Sequence, residues 1–296
     1  QGGGGAGEEV GEVSVDRVLT EMWGPPATEA VKPYDVNAAP RYHLYPGVRT
    51  SDQGFDQRWR KHPRPQPTTE AQFFQKTGWL PEVLAGQRVV DAGCGCGRYC
   101  RFALDQGAAE VTGLDISPSG LEAAAVNTPG AKLVECSLLD IPLLSESVDV
   151  AFSIGVLHHT ADPAAAFREV ARLVHPGGRL AVWVYSQPAE GLELLASKWL
   201  HQITRACPPE VLYQTCRDFA PRLRDAYGEL GSPLSRVLRA SALADDEQCI
   251  SDTFDWHTPQ FRSWHTASEV RGWFESAGFQ VTWAGAFPVS MSGVKG

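Results

Sequence analysis

Three glycines at alternate positions, Gly93, Gly95 and Gly97, follow an apolar run in the stretch Arg88-Val-Val-Asp-Ala-Gly-Cys-Gly-Cys-Gly-Arg98. Val89 and Val90 suit a strand buried on both faces, and Asp91 ends it. Glycine has no Cβ, so the chain can turn tightly there and a ligand can lie against its backbone. A helix starting near Arg98 places Tyr99, Phe102 and Ala103 on one face. Strand, glycine turn and helix together make the nucleotide-binding opening of a doubly wound sheet.

A glycine turn alone does not name a ligand, and the next strand narrows the choice. Glu110 to Asp115 reads as that strand, and Asp115 stands about 20 residues beyond the glycines, where an acid grips ribose hydroxyls. A dinucleotide fingerprint needs Gly-x-Gly-x-x-Gly or Ala, so that a helix N-terminus meets a pyrophosphate. Arg98 occupies that third position and breaks the pattern. The form Asp-x-Gly-x-Gly-x-Gly, Asp91 through Gly97, resembles motif I of the class I S-adenosylmethionine-dependent methyltransferases. The resemblance implies a cofactor that has no phosphate and is released as S-adenosylhomocysteine. Its α-ammonium is one that Asp91 can help hold.

Further along, Leu139-Asp140-Ile141-Pro142 follows a third strand, Lys132 to Cys136, and resembles the adenine site of the same family. Val148 to Ser153 is a fourth strand, with Ile154-Gly-Val-Leu-His-His159 after its carboxyl end. The run from Val148 to Tyr185 is similar to the small-molecule branch called type 11 or UbiE-like. The resemblance covers roughly Val89 to Ala286, apart from most of an insertion. It implies cofactor contact at Asp91, Gly93, Gly95, Asp115, Ile116, Leu139, Asp140 and Ile154, the last near the methionine end.

Methyl transfer from a sulfonium is an in-line displacement with an activated leaving group, so the protein mainly aligns two reactants and excludes water. Such alignment supplies on the order of 7–11 kcal/mol. A base is needed only if the acceptor must lose a proton, and histidine suits that role near neutral pH. His158 is the first candidate because it follows the fourth strand, and His159 the second, since adjacent side chains point apart. Tyr42, Tyr45, Trp59 and Trp256 are candidate walls for an apolar acceptor, with His257 and His265 at the edge of the insertion. If the acceptor is carbon and a cation forms, aromatic faces would stabilise it.

The elements that must position these groups are marked by local signals. Thr69 with Gln72, and Thr266 with Glu269, read as capping boxes, and Gly78 and Gly278 as stops. Ser117-Pro118 and Asp162-Pro163 read as caps with a first-turn proline. Further strands are expected at Arg179 to Tyr185 and Phe279 to Ala286, the last with Val289 to Met291 as a partner. The expected fold is α/β, a Rossmann-like doubly wound, mostly parallel seven-stranded sheet with an N-terminal arm and an inserted helical lid. Residues 1–67 form the arm, with an amphipathic helix at Ser14 to Trp23. Residues 68–296 form the methyltransferase domain, with the lid at about 187–250. Gly24 to Pro67 is rich in proline and aromatics, which argues against a regular helix. The lid arginines Arg217, Arg222, Arg224, Arg236 and Arg239 read first as a solvated face and second as holders of a phosphorylated substrate.

The chain has 296 residues, 43% of them hydrophobic, which suits one large domain with additions. A net charge of -9 argues against a nucleic-acid partner, and no base-methylating motif follows the fourth strand. Cys94, Cys96 and Cys100 lack the paired spacing of a zinc site, so no metal is expected. Reduced thiols and the lack of a membrane span or leader lead to the expectation of a cytoplasmic enzyme. A homo-oligomer through the first helix is one alternative to that helix covering the active site. The expected function is methylation of a small, largely apolar secondary metabolite, natural-product or isoprenoid-like, with carbon slightly ahead of oxygen. The competing readings are a methyltransferase of nucleic acid or protein, a nicotinamide oxidoreductase, and a non-catalytic cofactor-binding partner.

Overall fold

The computed structural model describes residues 51–65, 68–187, 192–227, 238, 240–285 and 289–296, all within one compact unit, Leu44–Gly296. In chain order these residues form helices α1 (Ser51–Lys61) and α2 (Glu70–Thr77), strand β1 (Arg88–Ala92), α3 (Arg98–Asp105), β2 (Glu110–Asp115), α4 (Pro118–Asn127), β3 (Lys132–Glu135) and β4 (Val148–Ile154). After a short 3-10 turn at Leu157–His159 come α5 (Pro163–Leu173), β5 (Val174–Trp183), α6 (Leu192–Thr204), α7 (Pro209–Tyr227), α8 (Asp246–His257), α9 (Ala267–Ser276), β6 (Phe279–Ala284) and β7 (Ser290–Lys295). The early helix expected at Ser14 to Trp23, together with Tyr42, Tyr45, Arg236 and Arg239, lies outside the described residues.

The sheet has seven strands in the order β3-β2-β1-β4-β5-β7-β6. Strands β1 to β5 run parallel, while β7 is antiparallel to both β5 and β6. The strand order reverses between β1 and β4, and doubly wound sheets bind ligands in the crevice such a switch leaves. Side chains alternate across the strands, and the two faces bury different sets. Val90, Leu114, Ala151, Leu180 and Val182 pack with Phe167, Val170 and Phe274 of α5 and α9. Val89, Val111, Val150, Phe152 and Ala181 pack with Phe73, Tyr99 and Phe102 of α2 and α3. Each large apolar side chain buried this way contributes roughly 1.5–3 kcal/mol.

Helix starts obey the sequence signals. Thr69 and Gln72 form the reciprocal capping box, and Gly78 ends α2 in the left-handed region at φ 69°. Ser117 and Asp162 accept from backbone N–H groups three residues on. Thr266 likewise accepts from the Glu269 N–H. The expected capping box there is only half made, because the Glu269 carboxylate turns to His265 Nδ1 at 3.0 Å.

Three boundaries differ from expectation. A regular helix, α1, stands inside the stretch read as irregular. Its prolines cluster at Pro46 and before, and again from Pro63, leaving a proline-free window that a helix can occupy. Strand β5 begins at Val174 rather than Arg179, passing through the glycine pair with a register shift against β4. The third lid helix, α8, runs to His257, beyond the expected end near 250. The lid has its own small core, Leu212 and Cys216 of α7 against Ile250 and Phe254 of α8. Helix α1 ties this lid to the sheet. Asp56 Oδ1 accepts from the Ser119 N–H at 3.0 Å at the start of α4, and Arg58 donates to Asp255 of α8 at 2.9 Å.

Candidate active site

The glycine turn lies at the carboxyl end of β1. Gly93, Gly95 and Gly97 have φ of 90°, 52° and 87°, the left-handed region where other residues are strained. The N–H groups of Gly93 and Cys94 donate to the Leu114 carbonyl at 2.7 and 2.9 Å. Asp115 closes β2 beside them. Its Oδ2 accepts from the Gly95 N–H at 2.7 Å and its Oδ1 from the Ser117 N–H at 2.9 Å. Each oxygen keeps a further lone pair, and the residue retains an open edge on the cavity. Enclosure by protein pushes the Asp115 carboxyl above the usual range, against the pull of these amides.

A cavity of about 1110 Å³ runs from this turn to the lid. That volume suits a nucleoside and a small second molecule together, since drug-sized pockets are roughly 300–1,000 Å³. Of the expected cofactor residues, Gly93, Gly95, Asp115 and Ile154 line it. The others do not. Asp91 is 1% exposed and lies beneath the turn, where Cys100 Sγ donates to its Oδ2 at 3.4 Å. It supports the turn from below and does not line this cavity, and burial pushes its carboxyl up to about 7. Ile116 is half-buried away from the cavity, Leu139 packs on the core beneath β3 and β4, and Asp140 is exposed. The apparent adenine signature therefore lies outside this cavity.

Trp59 of α1 lines the cavity at the glycine turn. The Trp59 indole packs on the bare faces of Gly95 and Gly120, so close that a Cβ at Gly95 would lie 2.4 Å from it. Trp59, expected as an acceptor wall, thus packs on the glycine turn and the start of α4.

The histidine pair divides sharply. His158 is fully buried and does not line the cavity. Its Nδ1 accepts the Tyr185 N–H at 3.3 Å, its ring stacks on Tyr185 at 3.7 Å, and its Nε2 is buried with no partner. The lone pair a base would use is already engaged, and burial drives its pKa well below the ordinary value. The first-choice base is therefore a packing residue. His159 does line the cavity. Its Nδ1 lies 3.1 Å from the Phe261 carbonyl oxygen, which makes Nδ1 the donor and leaves Nε2 as the acceptor. The ring meets Phe55 edge-on at 5.4 Å. Burial drops its pKa to about 3, so it is neutral at any ordinary pH.

Of the other substrate candidates, Trp256 lines the cavity. His257 does not, its Nε2 lying 3.0 Å from the Leu238 carbonyl. His265 is occupied on both nitrogens, by Ser263 Oγ at 2.8 Å and by Glu269. The lid arginines are likewise engaged or remote. Arg224 pairs with Asp225 and Asp246, Arg217 with Asp218, and neither they nor Arg222 line the cavity.

The sequence reading missed Lys76, Tyr185, Asp252, Asp255 and Arg58, all of which line the cavity. Only Arg58 is tied to a carboxylate among them, at Asp255. No local motif marks these positions, because the fold brings them together from α1, α2, α8 and the end of β5.

A doubly wound sheet with a glycine turn, an acid closing the neighbouring strand and a cavity at its switch point has the architecture of the nucleoside-binding α/β proteins. Comparison with known proteins carries this further. The methyltransferase-domain family profile matches residues 90–182. The ubiquinone biosynthesis O-methyltransferase of Albidiferax ferrireducens is 30% identical over 180 residues, 53% of this chain and 69% of that protein. Its Stutzerimonas stutzeri counterpart is 28% identical over 190 residues, 57% and 80% of the two chains. A solved Haloferax volcanii complex of the Trm112 methyltransferase activator with a methyltransferase shares the fold, with a TM-score of 0.50 and 17% identity over 83% of this chain and 98% of that one. The chain belongs to the class I S-adenosylmethionine-dependent methyltransferases.

The residues present fit that cofactor at its ribose and methionine ends. Gly93 and Gly95 line the cavity beside Asp115, and at Gly93 a Cβ would collide with the Val156 methyls at 2.4 Å, so the turn admits only glycine there. Asp115 offers two oxygens to a vicinal diol, and Ile154 lines the stretch beyond the turn. When bound, the cofactor supplies an electrophilic methyl group on sulfur.

Proposed function

We propose that this enzyme methylates a hydroxyl oxygen of a small acceptor held between α1, the lid and the carboxyl ends of β4 and β5. The observation that carries the reading is the continuity of one cavity, from Gly93, Gly95 and Asp115 to Lys76, His159, Tyr185 and Asp252. Phe55, Trp183, Trp256 and Trp264 supply aromatic walls for the acceptor's body, in keeping with a partly apolar molecule. The charged groups among them favour an acceptor with a polar reacting end, and the similarity to ubiquinone-pathway O-methyltransferases points the same way. Together they move the balance from carbon, where the sequence leaned, to oxygen.

Within that reading His159 orients the acceptor. Its Nε2 accepts a hydrogen bond, while its conjugate acid is too strong to keep a proton near neutral pH. Trp59 and Asp115 hold the nucleoside side, and α1 couples that side to the lid through Arg58 and Asp255. Methyl transfer with a carbon-13-labelled donor, read by NMR of the product, tests the assignment. A methoxy carbon signal is expected, and a methyl bonded to carbon would restore the C-methylation reading.

A further inference from the structure

Glu247, Asp252 and Asp255 of α8 line the cavity, and the last two, which are half-buried, differ in what neutralises them. Asp255 pairs with the Arg58 guanidinium at 2.9 Å. Asp252, three residues earlier, also lines the cavity, and among the described residues no cation lies within ion-pair distance of it. Six groups act on it: Asp255 and Cys249 on α8, Ser241 before that helix, Arg58 on α1, Lys76 on α2, and Tyr185 just past β5.

Lys76 comes to the same cavity from the sheet side. Its ammonium lies 4.7 Å from the centroid of the Trp183 ring and donates to Tyr99 Oη at 3.1 Å. Among the described residues no carboxylate pairs with it, although it and Asp252 act on one another electrostatically. Two opposite charges, partly stripped of water, thus line one cavity without pairing, and each can take a polar group of a molecule bound there. A hydroxyl fits both, donating to the carboxylate and accepting from the ammonium.

We propose that the acceptor's hydroxyl binds between Asp252 and Lys76, with Asp252 receiving its proton and Lys76 holding the oxygen as it becomes anionic. This rests on the O-methylation reading above. The step balances: an oxygen lone pair forms the new O–C bond, and the electrons of the broken C–S bond stay with sulfur. The O–H proton moves to an Asp252 carboxylate oxygen and leaves later to solvent. Burial supports these roles by raising the Asp252 carboxyl, which makes it a stronger base than an ordinary aspartate, with Asp255 adding to the rise and Ser241, Arg58 and Lys76 opposing it. Burial also lowers Lys76 to about 8, within reach of proton sharing near neutral pH.

The test uses 4-nitrocatechol, a chromogenic hydroxyl compound, with the full chain and saturating S-adenosylhomocysteine. In wild type the phenolate band of the probe is expected at a pH below that required in buffer. Lys76→Met should abolish this shift, and Asp252→Asn should keep it but lose methyl transfer to the probe at pH 6, where the hydroxyl is still protonated, with S-adenosylhomocysteine affinity by calorimetry unchanged in both. An unaltered shift in Lys76→Met, undiminished methyl transfer in Asp252→Asn at pH 6, or no spectral change in wild type, overturns the proposal. Loss of S-adenosylhomocysteine affinity in Lys76→Met assigns the lysine to the cofactor and overturns its part. If wild type fails to bind S-adenosylhomocysteine at all, it is the methyltransferase reading that fails.

Discussion

Asp115 Oδ2 takes the N–H of Gly95 at 2.7 Å, so the acid ending β2 fixes the turn that ends β1. The residue assigned to the ribose therefore also shapes the floor on which the nucleoside rests. Asp115→Ala should weaken S-adenosylhomocysteine binding by roughly 1–3 kcal/mol, the cost of leaving buried hydrogen-bonding groups unpaired. Calorimetry of the variant checks this, with thermal melting to confirm folding. Unchanged affinity would remove Asp115 from the binding site.

Gly95→Ala probes the contact between α1 and the turn. At φ 52° a Cβ costs about 1–2 kcal/mol of backbone strain. It would also meet the Trp59 indole at 2.4 Å. Combining the change with Trp59→Ala should recover the steric part and leave the strain, a positive coupling visible in a double-mutant cycle of denaturant unfolding. Strict additivity would mean that Trp59 does not cover the turn in solution.

Asp91 makes stability pH-dependent in a direction opposite to most carboxylates. Burial raises its folded-state carboxyl to about 7 from an ordinary 3.8. The folded protein then binds the extra proton between those values, so this group's contribution is complete below the lower pKa and is lost as pH rises through the upper one. Asp91→Asn should therefore be more stable than wild type at pH 8, with the gain shrinking toward pH 4. Chemical denaturation across that range measures it, and a gain that grew on acidification would refute the assignment.

The two histidines should separate cleanly. His158→Ala removes a fully buried ring stacked on Tyr185 and should cost on the order of 2–5 kcal/mol, like other large-to-small core changes. His159→Ala should leave S-adenosylhomocysteine affinity intact and lower methyl transfer. Melting curves and turnover on one acceptor decide between them. A stable, inactive His158 variant would return the catalytic role to that residue.

Much of the frame was legible because its signals are local. The run from Arg88 to Arg98, the acid at Asp115 and the caps at Thr69, Ser117 and Asp162 each act over a few residues. The two buried faces of β1 and β4 arise from strand geometry alone. What stayed hidden depends on distant parts meeting. Helix α1 was obscured by prolines on either side of it. Lys76 reads as an ordinary last-turn cation of α2 until Trp183 packs against it and Asp252 shares its cavity. The choice between His158 and His159 needed to know which of two buried rings borders the cavity, and the Asp-Ile-Pro signature after β3 needed the exposure of Asp140, which no local pattern records.

Transfer of a trideuterated methyl group from labelled S-adenosylmethionine into a metabolite extract tests the central claim most directly. The cavity joining the glycine turn to the lid predicts a small hydroxylated molecule gaining that label, with S-adenosylhomocysteine formed in equal amount, and loss of both in His159→Ala. Label appearing only in RNA or protein, or no turnover by a chain that binds S-adenosylhomocysteine, would contradict it.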